Sequence, residues 1–167
     1  MIKAKDVSKK YADKVILSDI EVELPKGQLI AFIGPNGAGK STFLSLISRL
    51  QPQSTGEIYI DHDEIRNWKS KELAKKLAIL KQSNGVQLHI SVYDLVSFGR
   101  FPYNRGKLTK KDQQIVDEAI LKMELLDLKD ASIHELSGGQ LQRVYIAMIL
   151  AQDTEYILLD EPLNNLD

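Results

Sequence analysis

Gly34-Pro35-Asn36-Gly37-Ala38-Gly39-Lys40-Ser41-Thr42 fits the pattern G-x-x-x-x-G-K-[ST], and its flanks decide how it folds. The apolar run Leu29-Ile30-Ala31-Phe32-Ile33 ahead of it predicts a strand, and Thr42-Phe43-Leu44-Ser45-Leu46-Ile47 behind it has helical spacing. Strand, glycine-rich loop and helix in that order predict a loop that curls around phosphate. The glycines let backbone N–H groups turn inward at the positive end of the following helix. Lys40 is placed to reach the β- and γ-phosphates of a nucleotide, and the Ser41 hydroxyl to ligate Mg²⁺. All nine residues from Gly34 to Thr42 are therefore candidate nucleotide-binding residues. The glycines do not fall as G-x-G-x-x-G, which argues against a dinucleotide site.

A second segment, Leu136-Ser137-Gly138-Gly139-Gln140, opens a run with an apolar helical face, Leu141 to Leu150. Alone, Ser-Gly-Gly is read as a helix N-cap and turn. Tyr156-Ile157-Leu158-Leu159 then predicts a buried strand that ends in two carboxylates, Asp160 and Glu161. Adjacent acids at a strand end are often a solvated turn. With a phosphate loop upstream, they suit a metal-holding carboxylate, Asp160, and a base that polarises the attacking water, Glu161.

Further out, Ile20, Val22 and Leu24 alternate with Glu21 and Glu23 as a half-buried strand, and Ile58 and Ile60 face inward on a short one. Trp68 to Leu77 reads as helical and Leu77-Ala78-Ile79-Leu80 as a buried strand. Ser91 to Leu128 reads as mostly helical, with Ile115, Val116, Ala119, Ile120 and Met123 on one face. Arg100 to Gly106 is expected to be a loop between helices. His62, His89 and His134 neither cluster nor show ligand spacing, and read as surface or loop histidines.

With 167 residues the chain suffices for one domain. Acidic and basic residues number 23 and 22, which leaves no basic footprint for nucleic acid. Absence of cysteine excludes disulfides and thiol chemistry. No apolar run approaches the ~18–20 residues that cross a bilayer, so a membrane role is expected to be borrowed from a partner.

The phosphate loop, the Leu136–Gln140 string and the strand ending Leu159-Asp160-Glu161-Pro162 together resemble the ATP-binding-cassette (ABC) ATPase family along the whole chain. The resemblance implies an α/β P-loop NTPase of the ABC type: a mixed core sheet with an antiparallel β edge and an inserted α-helical subdomain. Residues 1–83 and 134–167 would form the catalytic core and 84–133 the helical subdomain. ATP and Mg²⁺ would be the cofactors. Lys40, Glu161 and Gln82 would be catalytic, and Ser41, Gln82 and Asp160 would attend the metal. Tyr11 would stack on adenine, where base–aromatic stacking is worth ~1–3 kcal/mol. Ser137, Gly138, Gly139 and Gln140 would cap the nucleotide of a second copy in a head-to-tail dimer. Asn164-Asn165-Leu166-Asp167 is similar to the family's S-A-L-D loop, with Leu163 and the two asparagines as departures.

The family continues with another core strand and a switch histidine, yet none of the three histidines lies beyond Glu161. Residues 1–167 are thus expected to be part of a longer protein, to leave a gap in their own sheet, and not to turn over ATP alone. Within the family, Ser91 to Tyr103 and Ala147 to Asp153 resemble the ATPases of iron–siderophore, haem and cobalamin importers. That implies integral membrane permeases as partners, a substrate-binding protein indirectly, no nucleic acid, and a place at the cytoplasmic face of the membrane. The rival reading is a soluble ABC ATPase acting on ribosomes or DNA, or a transporter of another substrate.

Overall fold

The structure is a computed structural model that describes residues 1–81, 89–104 and 106–161. The chain divides into two units, Met1–Ser70 and Lys71–Asp167.

In the first unit, alternation of apolar and polar residues builds an antiparallel sheet. β1 (Ile2–Tyr11) pairs with β2 (Lys14–Leu24) on one edge and β3 (Thr55–Ile60) on the other, and β4 (Asp63–Glu64) pairs antiparallel with β3 at the outer edge. Register aligns the apolar positions across three strands: Ile2 lies opposite both Leu24 and Ile60, and Ala4 opposite both Val22 and Ile58. Opposed residues share one face of the pleat, so these rows form an inner face on which Ile2, Ala4, Ile58 and Ile60 are buried. The expected antiparallel edge is therefore present. α1 (Lys40–Ile47) follows the glycine-rich loop and buries Phe43, Leu44, Leu46 and Ile47.

The strand expected at Leu29–Ile33 is not formed. These residues belong to neither sheet, and Leu29 and Ile33 are almost fully exposed, at 102% and 95%. A strand requires a ladder partner, and among the described residues none pairs with this segment. The Phe32 ring packs edge-on to Phe43, with centroids 5.5 Å apart.

In the second unit, α2 (Ser70–Lys76) leads into β5 (Leu77–Leu80), which pairs in parallel with β6 (Tyr156–Leu159). Parallel neighbours need a long crossover. Here it contains α3 (Val92–Ser97), α4 (Phe101–Asn104), α5 (Lys110–Lys122) and α6 (Gly138–Gln152). The apolar faces of α3, α5 and α6 meet in one core that includes Val92, Val96, Val116, Ile120, Leu125 and Val144. On α5, Val116, Ala119 and Ile120 are buried, and Ile115 and the C-cap Met123 pack against the same core, as the spacing predicts. β6 departs from expectation. Tyr156 and Leu158 are buried, but Ile157 and Leu159 are exposed, although their partners Ala78 and Leu80 on β5 are buried.

The expected loop at Arg100–Gly106 also needs correction, since Phe101–Asn104 is a helical turn. A buried polar cluster secures it. Arg100 Nε donates to Asp112 Oδ1 at 2.9 Å, and its Nη1 donates to the Ala151 carbonyl at 2.9 Å. Asn104 Nδ2 and Thr109 Oγ1 donate to the other Asp112 oxygen at 2.9 and 2.6 Å. The Tyr103 ring lies 3.9 Å from the Arg100 guanidinium, and its hydroxyl donates to the Gln152 carbonyl at 3.0 Å. Burial pushes the Asp112 carboxyl upward. The hydrogen bonds from Thr109, Asn104 and Arg100 outweigh it and hold the group well below the usual carboxylate range. Neighbouring Gly99 passes so close to α6 that a Cβ there would sit 2.3 Å from the Met148 carbonyl oxygen.

Candidate functional site

Two glycines shape the phosphate loop. Gly37 and Gly39 have φ of 81° and 89°, the left-handed region that costs other residues energy. Gly39 is also the N-cap of α1, and a Cβ on it would fall 2.6 Å from Leu17 Cδ2. The angle favours glycine, and a side chain there would also make Leu17 shift. Phe43 N–H donates to the Gly39 carbonyl at 2.8 Å, which begins the helical ladder, and the helix start carries no side-chain cap hydrogen bond. Lys40 Nζ crosses the loop and donates to the carbonyls of Gly34, at 2.8 Å, and Pro35, at 3.0 Å. The ammonium thus stands over the loop at the positive end of α1, an arrangement suited to an oligophosphate. Ser41 and the residues from Gly34 to Ala38 are exposed, while Gly39, Lys40 and Thr42 are half-buried.

Tyr11, at the end of β1, is 45% exposed. Its hydroxyl bonds to Gln51 Oε1, and the Lys9 ammonium sits 4.9 Å from its ring centroid. A base stacked on Tyr11 would meet a ring already polarised by a cation on one face.

In the second unit Ser137 is the N-cap of α6. Its hydroxyl accepts from Gln140 N–H at 3.2 Å, and Gln140 Oε1 accepts from Ser137 N–H at 2.8 Å. The Ser-Gly-Gly-Gln string is therefore a complete capping box, the conformational reading of these residues. Ser137 and Gly138 remain exposed at the start of a 15-residue helix.

β6 delivers the two acids into contrasting surroundings. Asp160 N–H donates to the Leu80 carbonyl at 2.9 Å, carrying the parallel pairing one step further, and the residue is 7% exposed. Glu161 is exposed, with φ of 50°, an uncommon backbone for glutamate that turns the chain immediately after the strand. Gln82 and Leu163–Asp167 lie outside the described residues. The loop of residues 34–42 and the acids 160–161 belong to separate units.

Two features escaped the sequence reading. One is the Asp112 cluster, whose only advance signal is the capping-box spacing Thr109-x-x-Asp112. The other corrects the expectation that the histidines stand apart: the rings of His89 and His134 meet, 4.8 Å between centroids.

The loop, the capped Ser-Gly-Gly helix and the strand ending in two acids define a P-loop cassette of the ABC ATPase type. Residues 17–164 match the family described as ABC transporter, and the chain belongs to it. The chain is 54% identical over 167 residues to the petrobactin import ATP-binding protein YclP of Bacillus subtilis (strain 168), covering 100% of this chain and 66% of that protein. It is 40% identical to the ferric enterobactin transport ATP-binding protein FepC of Escherichia coli (strain K12), covering 94% of this chain and 59% of the relative. A solved dimeric ATP-binding cassette, in a post-hydrolysis state bound to ADP and Pi, superposes with a TM-score of 0.84 at 32% identity. That likeness covers 100% of this chain and 76% of the other. The chain thus spans about two thirds or less of the length of the curated relatives it matches.

Proposed function

We propose that the full-length protein is the ATP-binding and hydrolysing subunit of an importer for a ferric siderophore or related iron chelate. The single observation that carries this reading is 54% identity, along the whole chain, to a petrobactin import ATP-binding protein. The Ser91–Tyr103 segment, similar to that of iron-chelate importers, supports it. In this reading residues 1–83 and 134–167 form the catalytic core and 84–133 the helical subdomain.

Backbone N–H groups of the loop from Gly34 to Thr42 bind the phosphates, and Lys40 exchanges its carbonyl partners for β- and γ-phosphate oxygens. Tyr11 supports the adenine. The donor chemistry fits Mg²⁺: the Ser41 hydroxyl, the Asp160 carboxylate and the Gln82 amide are hard oxygen ligands. When bound, the ion neutralises charge on the phosphates. Glu161 orients the attacking water and takes up its proton. Ser137, Gly138, Gly139 and Gln140 serve the nucleotide held by a second copy. The dimer would work at the cytoplasmic face of the membrane with permease subunits and, through them, a substrate-binding protein.

Glu161→Gln tests the catalytic half. It should retain ATP binding, lose hydrolysis and accumulate as an ATP-dependent dimer on size exclusion; undiminished turnover would reject the assignment. Deleting the gene tests the cellular half. Growth on chelated iron should fail and recover with free iron, whereas a translation or repair defect with normal chelate uptake would favour a soluble ABC ATPase.

A further inference from the structure

A short antiparallel contact in the second unit opposes two histidines that lie far apart in sequence. Ser91 and Ser132 form an isolated bridge, and beside it Ile133 N–H donates to the Ile90 carbonyl at 3.1 Å. Val92 N–H reaches the Ala131 carbonyl at 3.0 Å on the other side. One further step along this register sets His89 opposite His134. Alternation then separates the faces: Ile133 is buried and Ile90 packs against the core, while both histidines are exposed. Their rings lie 4.8 Å apart between centroids and are tilted by 54°.

We propose that His89 and His134 form a two-histidine site for a borderline divalent transition-metal ion, with Zn²⁺ as its representative. Each neutral imidazole offers one ring nitrogen, and zinc–nitrogen bonds of ~2.0–2.1 Å bring two such rings close together. The backbone bridge supplies this proximity in advance, so ordering two side chains is most of what binding demands. Imidazole suits zinc, copper and nickel, whereas Mg²⁺ prefers hard oxygen donors, so this site is chemically distinct from one beside ATP. Among the described residues no group of three or more histidines, cysteines or acids gathers to hold a metal. The pair is therefore a two-ligand site whose remaining positions, on the exposed side, go to water. A bound ion would staple the residues leading into the Ser91 cap of α3 to those running toward the Ser137 cap of α6.

The test uses full-length, tag-free protein titrated calorimetrically with Zn²⁺ and, separately, Mg²⁺, both without nucleotide. Saturable 1:1 zinc binding is expected, weakened at least ~tenfold by either His89→Ala or His134→Ala, and unchanged by His62→Ala or by excess Mg²⁺. Zinc should raise the Tm of the wild type but not of either pair variant. Absence of saturable binding, or wild-type zinc affinity retained in either pair variant, overturns the proposal. ATP binding by the same variants is read separately, so this result and the ATPase assignment stand or fall independently.

Discussion

The phosphate loop and the Asp112 cluster both concentrate polar groups beside a helix start, yet they satisfy them in opposite ways. In the loop, the Lys40 ammonium rests on two carbonyls of an exposed turn, and the helix start has no side-chain cap. In the proposed function a phosphate takes over those interactions without disturbing packed atoms. In the cluster, Arg100 and Asp112 are 4% and 5% exposed and are bonded to each other and to Thr109, Asn104 and the Ala151 carbonyl. Nothing there can be exchanged without stranding a buried charge. Exchangeable satisfaction marks a place for a ligand, and closed satisfaction marks a mechanical joint.

Substitutions at four positions in the full-length protein would break or sharpen this contrast. Arg100→Ala should have the largest effect, lowering stability by about 3–5 kcal/mol, because it leaves the Asp112 carboxylate buried without its ion partner. Denaturant unfolding measures it, and a loss below about 1 kcal/mol would mean that the joint is not closed. Lys40→Ala should leave the unfolding midpoint nearly unchanged while reducing ATP turnover about 10²–10³-fold, as for loss of one preorganised charge donor. A large stability loss would instead make the lysine a structural brace. Tyr11→Ala should weaken ATP binding by about 1–3 kcal/mol, with a smaller effect on GTP if the ring discriminates the base, and Tyr11→Phe should be nearly silent. Equal affinity in the alanine variant would remove Tyr11 from the site. Ser137→Ala should cost about 1 kcal/mol of stability through the lost cap. If hydrolysis falls further than that loss accounts for, Ser137 serves a nucleotide as well as its own helix, which would place it on the ligand side of the comparison.

Much of this was legible in the chain itself. The register of Ile2, Ala4, Ile58 and Ile60 follows from alternation, and α1 begins where the glycine-rich loop ends. The readings that failed share a cause: they depended on what stands alongside. The run Leu29–Ile33 is apolar enough for a strand, but periodicity says nothing about whether a partner runs beside it. Phe101-Pro102 reads as loop punctuation, yet proline is tolerated in a first helical turn, where its missing N–H costs little. Nor does the spacing of His89 and His134 reveal that a backbone bridge opposes them.

Local chemistry in the sequence therefore determined the loop, the caps and the order of elements, because backbone freedom and hydrogen-bonding capacity belong to individual residues and their near neighbours. Tertiary structure alone decided which apolar run became a strand, which acid was buried and which histidines met. Burial and pairing are properties of two segments at once, and no single stretch of chain contains both partners.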